Sequence, residues 1–280
     1  DYLVATPWFY VNREAFYDFL ERAPGHITVM YGCHEAIAPD FMLFDYYIGL
    51  DTVPGSDRTV KLPYLRHHLQ EVHGGKEGLD AHALLASKTG FCNFIYANRK
   101  SHPNRDAMFH KLSAFRFVNS LGPHLNNTPG DGHRAEDWYG SSISMKKPYK
   151  FSIAFENAWY PGYTSEKIVT SMLAGTIPIY WGNPDISREF NSASFINCHD
   201  FPTLDDAVAY VKKVDEDDSL WCEIMSRPWK TPEQETRFLE ETERETAKLY
   251  KIFDQSPEEA RRKGDGTWVS YYQRFLKRGH

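Results

Sequence analysis

No apolar run in the chain approaches the ~20 residues that a membrane-spanning helix requires, and 41% hydrophobic with 25% charged residues predicts a soluble globular protein. Cysteine is scarce: Cys33, Cys92, Cys198 and Cys222 form no C-x-x-C pair, so neither a structural zinc site nor a disulfide framework is expected. Excess positive charge is missing too. At a net charge of −6 the chain is not expected to bind nucleic acid, and an anionic ligand would need a locally basic pocket. There is no G-x-G-x-x-G fingerprint, which argues against a dinucleotide oxidoreductase. No Walker loop occurs, and without a G-x-S-x-G elbow a serine hydrolase of that kind is unsupported. His34 and Glu35 begin HEAIA, but Ala38 stands where a zinc peptidase motif needs its second histidine. His67, His68 and His73 could suggest a metal, but the first two are adjacent and cannot share one helical face, which favours surface or packing roles. Asp215 and Asp217 read as a solvated charge run. No metal is therefore expected. The chain opens at Asp1 directly on an apolar strand, without an initiator methionine or signal peptide, and an N-terminal piece is expected to precede it.

What is present reads as alternating α/β structure in two domains, as 280 residues suggest. Strand Tyr2–Ala5 leads to a helix over Asn12–Arg22 with Ala15, Phe16, Phe19 and Leu20 on one face, then to strands His26–Tyr31 and Tyr46–Leu50. The Gly-rich segment His73–Asp80 places a boundary near Gly74. A second series follows: strand Phe91–Ala97, a helix near Asn104–Phe115, a polar stretch Asn126–Lys147, strand Lys150–Phe155, and a helix carrying Ile168, Val169, Met172 and Leu173 that Gly175 closes. Strands Ile177–Trp181 and Ser194–Asn197 come next, then a helix capped by Thr203. A long amphipathic helix spans Glu235–Lys251, and the tail carries Trp268, Tyr271, Tyr272 and Phe275. The expected domains are 1–73, 74–235 and a C-terminal helical segment 236–280 packing back toward the first.

The densest chemistry lies in FENAWYPGYTSEKI, Phe155 to Ile168, between an apolar strand and a helix start. Strand, helix and strand of this length form a right-handed crossover in a parallel sheet, which puts residues 156 to 167 beyond the strand's carboxyl end, where open α/β sheets bind ligands. Thr164 or Ser165 can cap the helix, and its positive dipole end with Lys167 suits a diphosphate. Glu156 and Glu166 can accept hydrogen bonds from sugar hydroxyls, and Tyr163 can pack on a ring. Packing alone also accounts for them, with Glu166 favouring the helix dipole and Tyr163 lying in the core. Arg105 repeats the arrangement in the opening turn of a helix after another strand, a position that serves a phosphate or a solvated surface. Glu35 follows strand His26–Tyr31, either as an exposed loop carboxylate or as a base facing the donor site.

These segments, with LAGTIPIYWGNPDISREFNSASFINCHDF (Leu173–Phe201), FCNFIYANRKSHPNR (Phe91–Arg105) and the weaker EAIAPDFMLFDYYIGLD (Glu35–Asp51), resemble the family 10 glycosyltransferases, the α-1,3/1,4-fucosyltransferases, and especially their bacterial members. The resemblance covers most of the chain. It implies an α/β fold of the GT-B type, two Rossmann-like domains facing across a cleft, the first lacking its opening strand and helix. It implies GDP-L-fucose in the C-terminal domain and a GlcNAc-containing glycan or surface polysaccharide as acceptor in the other. Carried over, Arg105 and Lys167 hold the diphosphate, Tyr163 and Glu166 contact ribose or fucose, Glu156 and Asn157 lie by the fucose, and Thr164 and Ser165 complete the donor loop. Glu35 is then the general base of a single inverting displacement that needs no metal and no cofactor. A different GDP-deoxysugar as donor, or a non-catalytic carbohydrate-binding or scaffold protein on the same fold, are the rival readings. Animal members carry a cysteine-containing C-terminal motif that this chain lacks, which fits a bacterial cytoplasmic enzyme; the basic, aromatic tail would allow contact with the inner membrane, and a Golgi-lumen catalytic fragment is the alternative.

Overall fold

The computed structural model describes residues 2–6, 25–32, 35–50, 56–62, 76, 78–129 and 137–262. The expected helix Asn12–Arg22, the histidines His67, His68 and His73, the boundary near Gly74 and the aromatic tail lie outside the described residues. Contacts divide the chain into two compact units, Asp1–Arg66 with Leu239–His280, and His67–Phe238.

In the first unit, β1 (Tyr2–Ala5), β2 (Ile27–Tyr31), β3 (Tyr46–Gly49) and β4 (Thr59–Lys61) form a parallel sheet in that order. Val29 pairs with Val4 on one side and Tyr46 on the other. The central strands β2 and β3 are almost wholly buried, as the interior of a parallel sheet requires, whereas no residue of the edge strand β1 is fully buried. Asp45, fully buried just before β3, is held by the Thr28 N–H and hydroxyl at 2.7 and 2.8 Å.

The second unit runs α1 (Ala81–Ala86), β5 (Gly90–Phe94), α2 (Asn104–Ser113), β6 (Val118–Ser120), α3 (Trp138–Lys146), β7 (Tyr149–Phe155), α4 (Glu166–Leu173), β8 (Ile177–Trp181), β9 (Ile196–Asn197), α5 (Leu204–Glu216) and α6 (Asp218–Ser226). Its five strands are parallel, in the order β6-β5-β7-β8-β9. The chain leaves β5 in one direction to make β6, then returns to the other side of β5 to make β7, β8 and β9. The carboxyl ends of β5 and β7 therefore flank the point where strand order reverses, the crevice in which such sheets take ligands. Helix α4 forms because Ile168, Val169 and Met172 bury one face, and it stops where Gly175, at φ +65°, supplies the left-handed turn that other residues resist. Helix α5 starts at a full capping box: the Thr203 hydroxyl accepts the Asp206 N–H and the Asp206 carboxylate accepts the Thr203 N–H.

The 23-residue α7 (Pro232–Asp254) begins in the second unit, and from Leu239 its residues belong to the first. Ile252, and Ala260 of α8 (Pro257–Ala260), lie in the first unit's core with Val29 and Ile48. Among the described residues no helix is long and apolar enough to cross a membrane.

Three expectations are corrected. The polar stretch before β7 contains α3, and the short α1 precedes β5. Asp215 is buried, not solvated: its carboxylate sits 2.9 Å from Arg116 and 3.4 Å from Lys150, fastening α5 to the sheet.

Candidate functional site

The segment after β7 folds back on itself around one carboxylate. Glu156 is fully buried; its Oε1 accepts the Ser165 N–H at 2.8 Å, and its Oε2 accepts the Ser165 hydroxyl at 2.5 Å and the Lys167 ammonium at 3.0 Å. Lys167 also donates to the Ser165 Oγ at 2.7 Å. Burial is the largest influence on both charged partners. It raises the Glu156 carboxyl despite Lys167 and the Ser165 donors. For Lys167 burial acts downward, yet the Glu156 and Glu166 carboxylates outweigh it and hold the ammonium protonated above its ordinary range.

Ser165 occupies the N-cap position of α4, but its hydroxyl serves Glu156 and makes no bond to the helix amides. The turn ahead of it is fixed from β8. The Asn183 side chain accepts the Gly162 N–H at 2.9 Å and donates to the Thr164 hydroxyl at 3.0 Å, while its own N–H donates to the Tyr180 hydroxyl. Gly182, at φ +150°, is necessarily glycine, because a Cβ would stand 2.4–2.5 Å from Cγ and Cβ of Glu156.

The loop after β5 meets this segment. The His102 N–H donates to the Asn157 carbonyl at 2.8 Å. Arg105, in the first turn of α2, is completely buried: Nη1 donates to the Asn157 Oδ1 at 3.0 Å, Nη2 donates to the Asn98 carbonyl, and the guanidinium lies 4.3 Å over the Tyr96 ring. Its Nε has no hydrogen-bond partner and stands 3.9 Å from the Asp106 carboxylate. Asn157 in turn donates to the Tyr163 hydroxyl at 3.4 Å. Tyr163 is itself buried.

The sequence-predicted donor residues Arg105, Glu156, Asn157, Tyr163, Thr164, Ser165, Glu166 and Lys167 thus gather at the carboxyl end of the sheet in the second unit. Glu35 lies in the first unit, exposed, four residues beyond β2, with its carbonyl accepting the Ile37 N–H. Two orientations differ from expectation. Both oxygens of Glu156 are engaged inward instead of being open to a sugar, and Arg105 is covered by Asn98 and Asn157 instead of exposing its fork. Asn183, Tyr180, Tyr96, Lys146 and His102 were not singled out from the sequence. The G-N-P turn after β8 and the aromatic at the end of FIY were the available signals for the first and third. His102 is exposed, its ring centroid 4.5 Å from that of Trp181, and its Nδ1 accepts the Asn104 N–H at 3.3 Å, which leaves Nε2 to carry the proton of the neutral ring. Partial desolvation of the ring lowers its pKa.

The opposite end offers a groove of about 590 Å³ lined by Leu79, Met172 and Trp229 among others. Two of its three lysines are already used. Lys76 donates to the Met225 carbonyl and Lys88 to the Lys147 carbonyl, so they compensate the negative ends of helices α6 and α3.

Comparison with known proteins places these features in one group. The family model for glycosyltransferase family 10 (fucosyltransferase), C-terminal part, matches residues 85–262. A putative fucosyltransferase of Acanthamoeba polyphaga mimivirus is 32% identical over 190 residues, covering 66% of this chain and 31% of that protein. The alpha-(1,3)-fucosyltransferase FucT of Helicobacter pylori is 31% identical over 209 residues, covering 64% of this chain and 42% of that protein. The chain therefore spans well under half the length of these curated relatives. A crystal structure of an alpha1,3-fucosyltransferase with GDP-fucose superposes with a TM-score of 0.62 at 26% identity, covering 79% of this chain and 75% of that one.

Proposed function

The chain belongs to glycosyltransferase family 10, the fucosyltransferases, with an α/β fold of the GT-B class, and from that premise we propose that it is an inverting α-1,3-fucosyltransferase using GDP-L-fucose. The acceptor is a hydroxyl of a GlcNAc-containing glycan or surface polysaccharide. One observation carries the reading: a persistently charged lysine, a buried arginine and the amino end of α4 converge where strand order reverses. That is a site for an anion, and the leaving diphosphate is where charge develops in sugar transfer. In this reading the diphosphate takes over the donors of Arg105 that Asn157 and Asn98 now occupy. Lys167 supplies the second positive charge. Glu35 takes the acceptor's proton as its oxygen attacks the anomeric carbon and GDP departs from the opposite face. The protein's own cations stabilise the leaving group in this reading, and the step uses no divalent ion.

Two measurements test this. GDP at about a hundred times its Kd is expected to stabilise the protein by about 2.7 kcal/mol, a rise of roughly 5–10 °C in Tm, and UDP is not. Glu35→Gln is expected to lower kcat by about 10²–10⁴-fold with Tm and GDP affinity unchanged. Wild-type turnover in that variant would remove Glu35 from the mechanism.

A further inference from the structure

Lys146, the last residue of α3, is 5% exposed and is placed directly behind α4. Its Nζ donates to the Thr170 Oγ1 at 2.6 Å and the Ser171 Oγ at 3.2 Å, and meets the Lys167 carbonyl at 3.4 Å. Every one of these acceptors is neutral. Among the described residues no carboxylate lies within ion-pairing distance of it, whereas each of the other cations at this site has a carboxylate within 4 Å. A buried ammonium without a counter-charge is costly, and nothing in the packing of α3 on α4 requires one, since a methionine fills similar space.

The charge missing from this arrangement is negative. Among the described residues the groups facing Lys146 are Glu166 and Lys167 from α4 and Glu156 from the segment after β7; its neighbour Lys147 lines the groove at the other end. The two glutamates are already held by Lys167. We propose that Lys146 is a positioning residue of the donor site, which holds the first turns of α4 through Lys167, Thr170 and Ser171 and takes up a proton when a nucleoside diphosphate binds at that helix's amino end.

The sign follows from the charges. Burial, with Lys167 adding to it and the glutamates opposing, pushes the Lys146 amine down to about 7. At pH 8 it is then mostly neutral in the free protein, and an anion arriving at α4 favours the protonated form. Protonation in turn tightens the anion's binding, so affinity for GDP should rise as pH falls from 9 toward 7.

The inference rests on the donor reading above and is tested by calorimetric titration of GDP at pH 8, above the range in which the terminal phosphate titrates, in buffers of differing ionisation enthalpy. Wild-type protein is expected to take up roughly half a proton or more per GDP bound. Lys146→Met should bind GDP about tenfold more weakly, with uptake close to zero. Lys146→Arg, charged at every pH, should bind without uptake, and it serves if the methionine variant fails to fold. GDP binding to wild type with no proton uptake, or uptake undiminished in either variant, overturns the role of Lys146 while leaving the donor site standing. No heat with GDP at any pH overturns the functional reading and this inference with it.

Discussion

Glu156 decides what the donor segment can do, because its carboxylate ties the end of β7, which it directly follows, to the residues that begin α4. Glu156→Gln keeps the Ser165 N–H satisfied but leaves Lys167 without its closest counter-charge. Breaking a buried pair from one side costs about 3–5 kcal/mol, and about 2–4 °C of Tm per kcal/mol applies to a unit of this size. A fall of roughly 6–20 °C is therefore expected, with GDP binding lost or severely weakened; an unchanged melting curve would mean the carboxylate is protonated and unneeded. The polar load of FENAWYPGYTSEKI and its place beyond a strand were legible in the sequence. The direction of each side chain was not, because strand alternation ends at Phe155 and no period governs the turn that follows. Arg105 shows the same limit. Its position in the first turn of α2 was readable, but its burial over Tyr96 depends on a ring seated across β7, where the Tyr96 hydroxyl accepts the Phe155 N–H at 2.7 Å.

At the scale of elements, α4 and α5 start in contrasting ways. The Thr203 hydroxyl caps α5 in the ordinary manner, whereas the Ser165 hydroxyl, at the equivalent position of α4, is turned to Glu156. Thr203→Ala should cost about 1 kcal/mol and a few degrees of Tm, and leave GDP affinity untouched. Ser165→Ala should instead weaken GDP binding, by about tenfold if one charge-assisted bond worth ~1.5 kcal/mol is lost from the Glu156–Lys167 pair. Melting curves and GDP titrations of the two variants separate the roles; equal effects on both would make Ser165 a plain cap. Elements with strong periodicity or clear stops were readable: β8 spans the expected residues and α4 stops at Gly175. Helix α1 has six residues, too few for a period to register, and α3 (WYGSSISMK) is poor in good helix formers and held by its neighbours. Asp215 misled for a related reason. Its acidic neighbours suggested solvent, while its partners Arg116 and Lys150 come from distant parts of the chain.

At the scale of the molecule, the buried ionisable groups of the second unit set how its stability depends on pH. Burial lowers Lys76 and Lys146 to about 7 and Lys88 to about 8, against 10.5 for the open chain. Between those values the unfolded chain binds more protons than the folded one, so stability rises with pH across that window. Burial moves Cys92 and Cys198 the other way, above their ordinary 9.0, and Tyr96 and Tyr180 above 10.0. Beyond those values the folded unit keeps protons that the unfolded chain releases, and stability is lost. The Tm should climb from pH 7, flatten above pH 9 as the thiols begin to oppose the lysines, and fall past pH 10 as the phenols join them. Five of the seven tryptophans, Trp138, Trp159, Trp181, Trp221 and Trp229, lie in this unit, so most of the tryptophan fluorescence follows its melting. A Tm that fails to rise between pH 7 and 9 would show that the three lysines are charged in the folded state. GDP should flatten the rise, because an anion that recruits a proton to Lys146 removes one of the three groups that drive it.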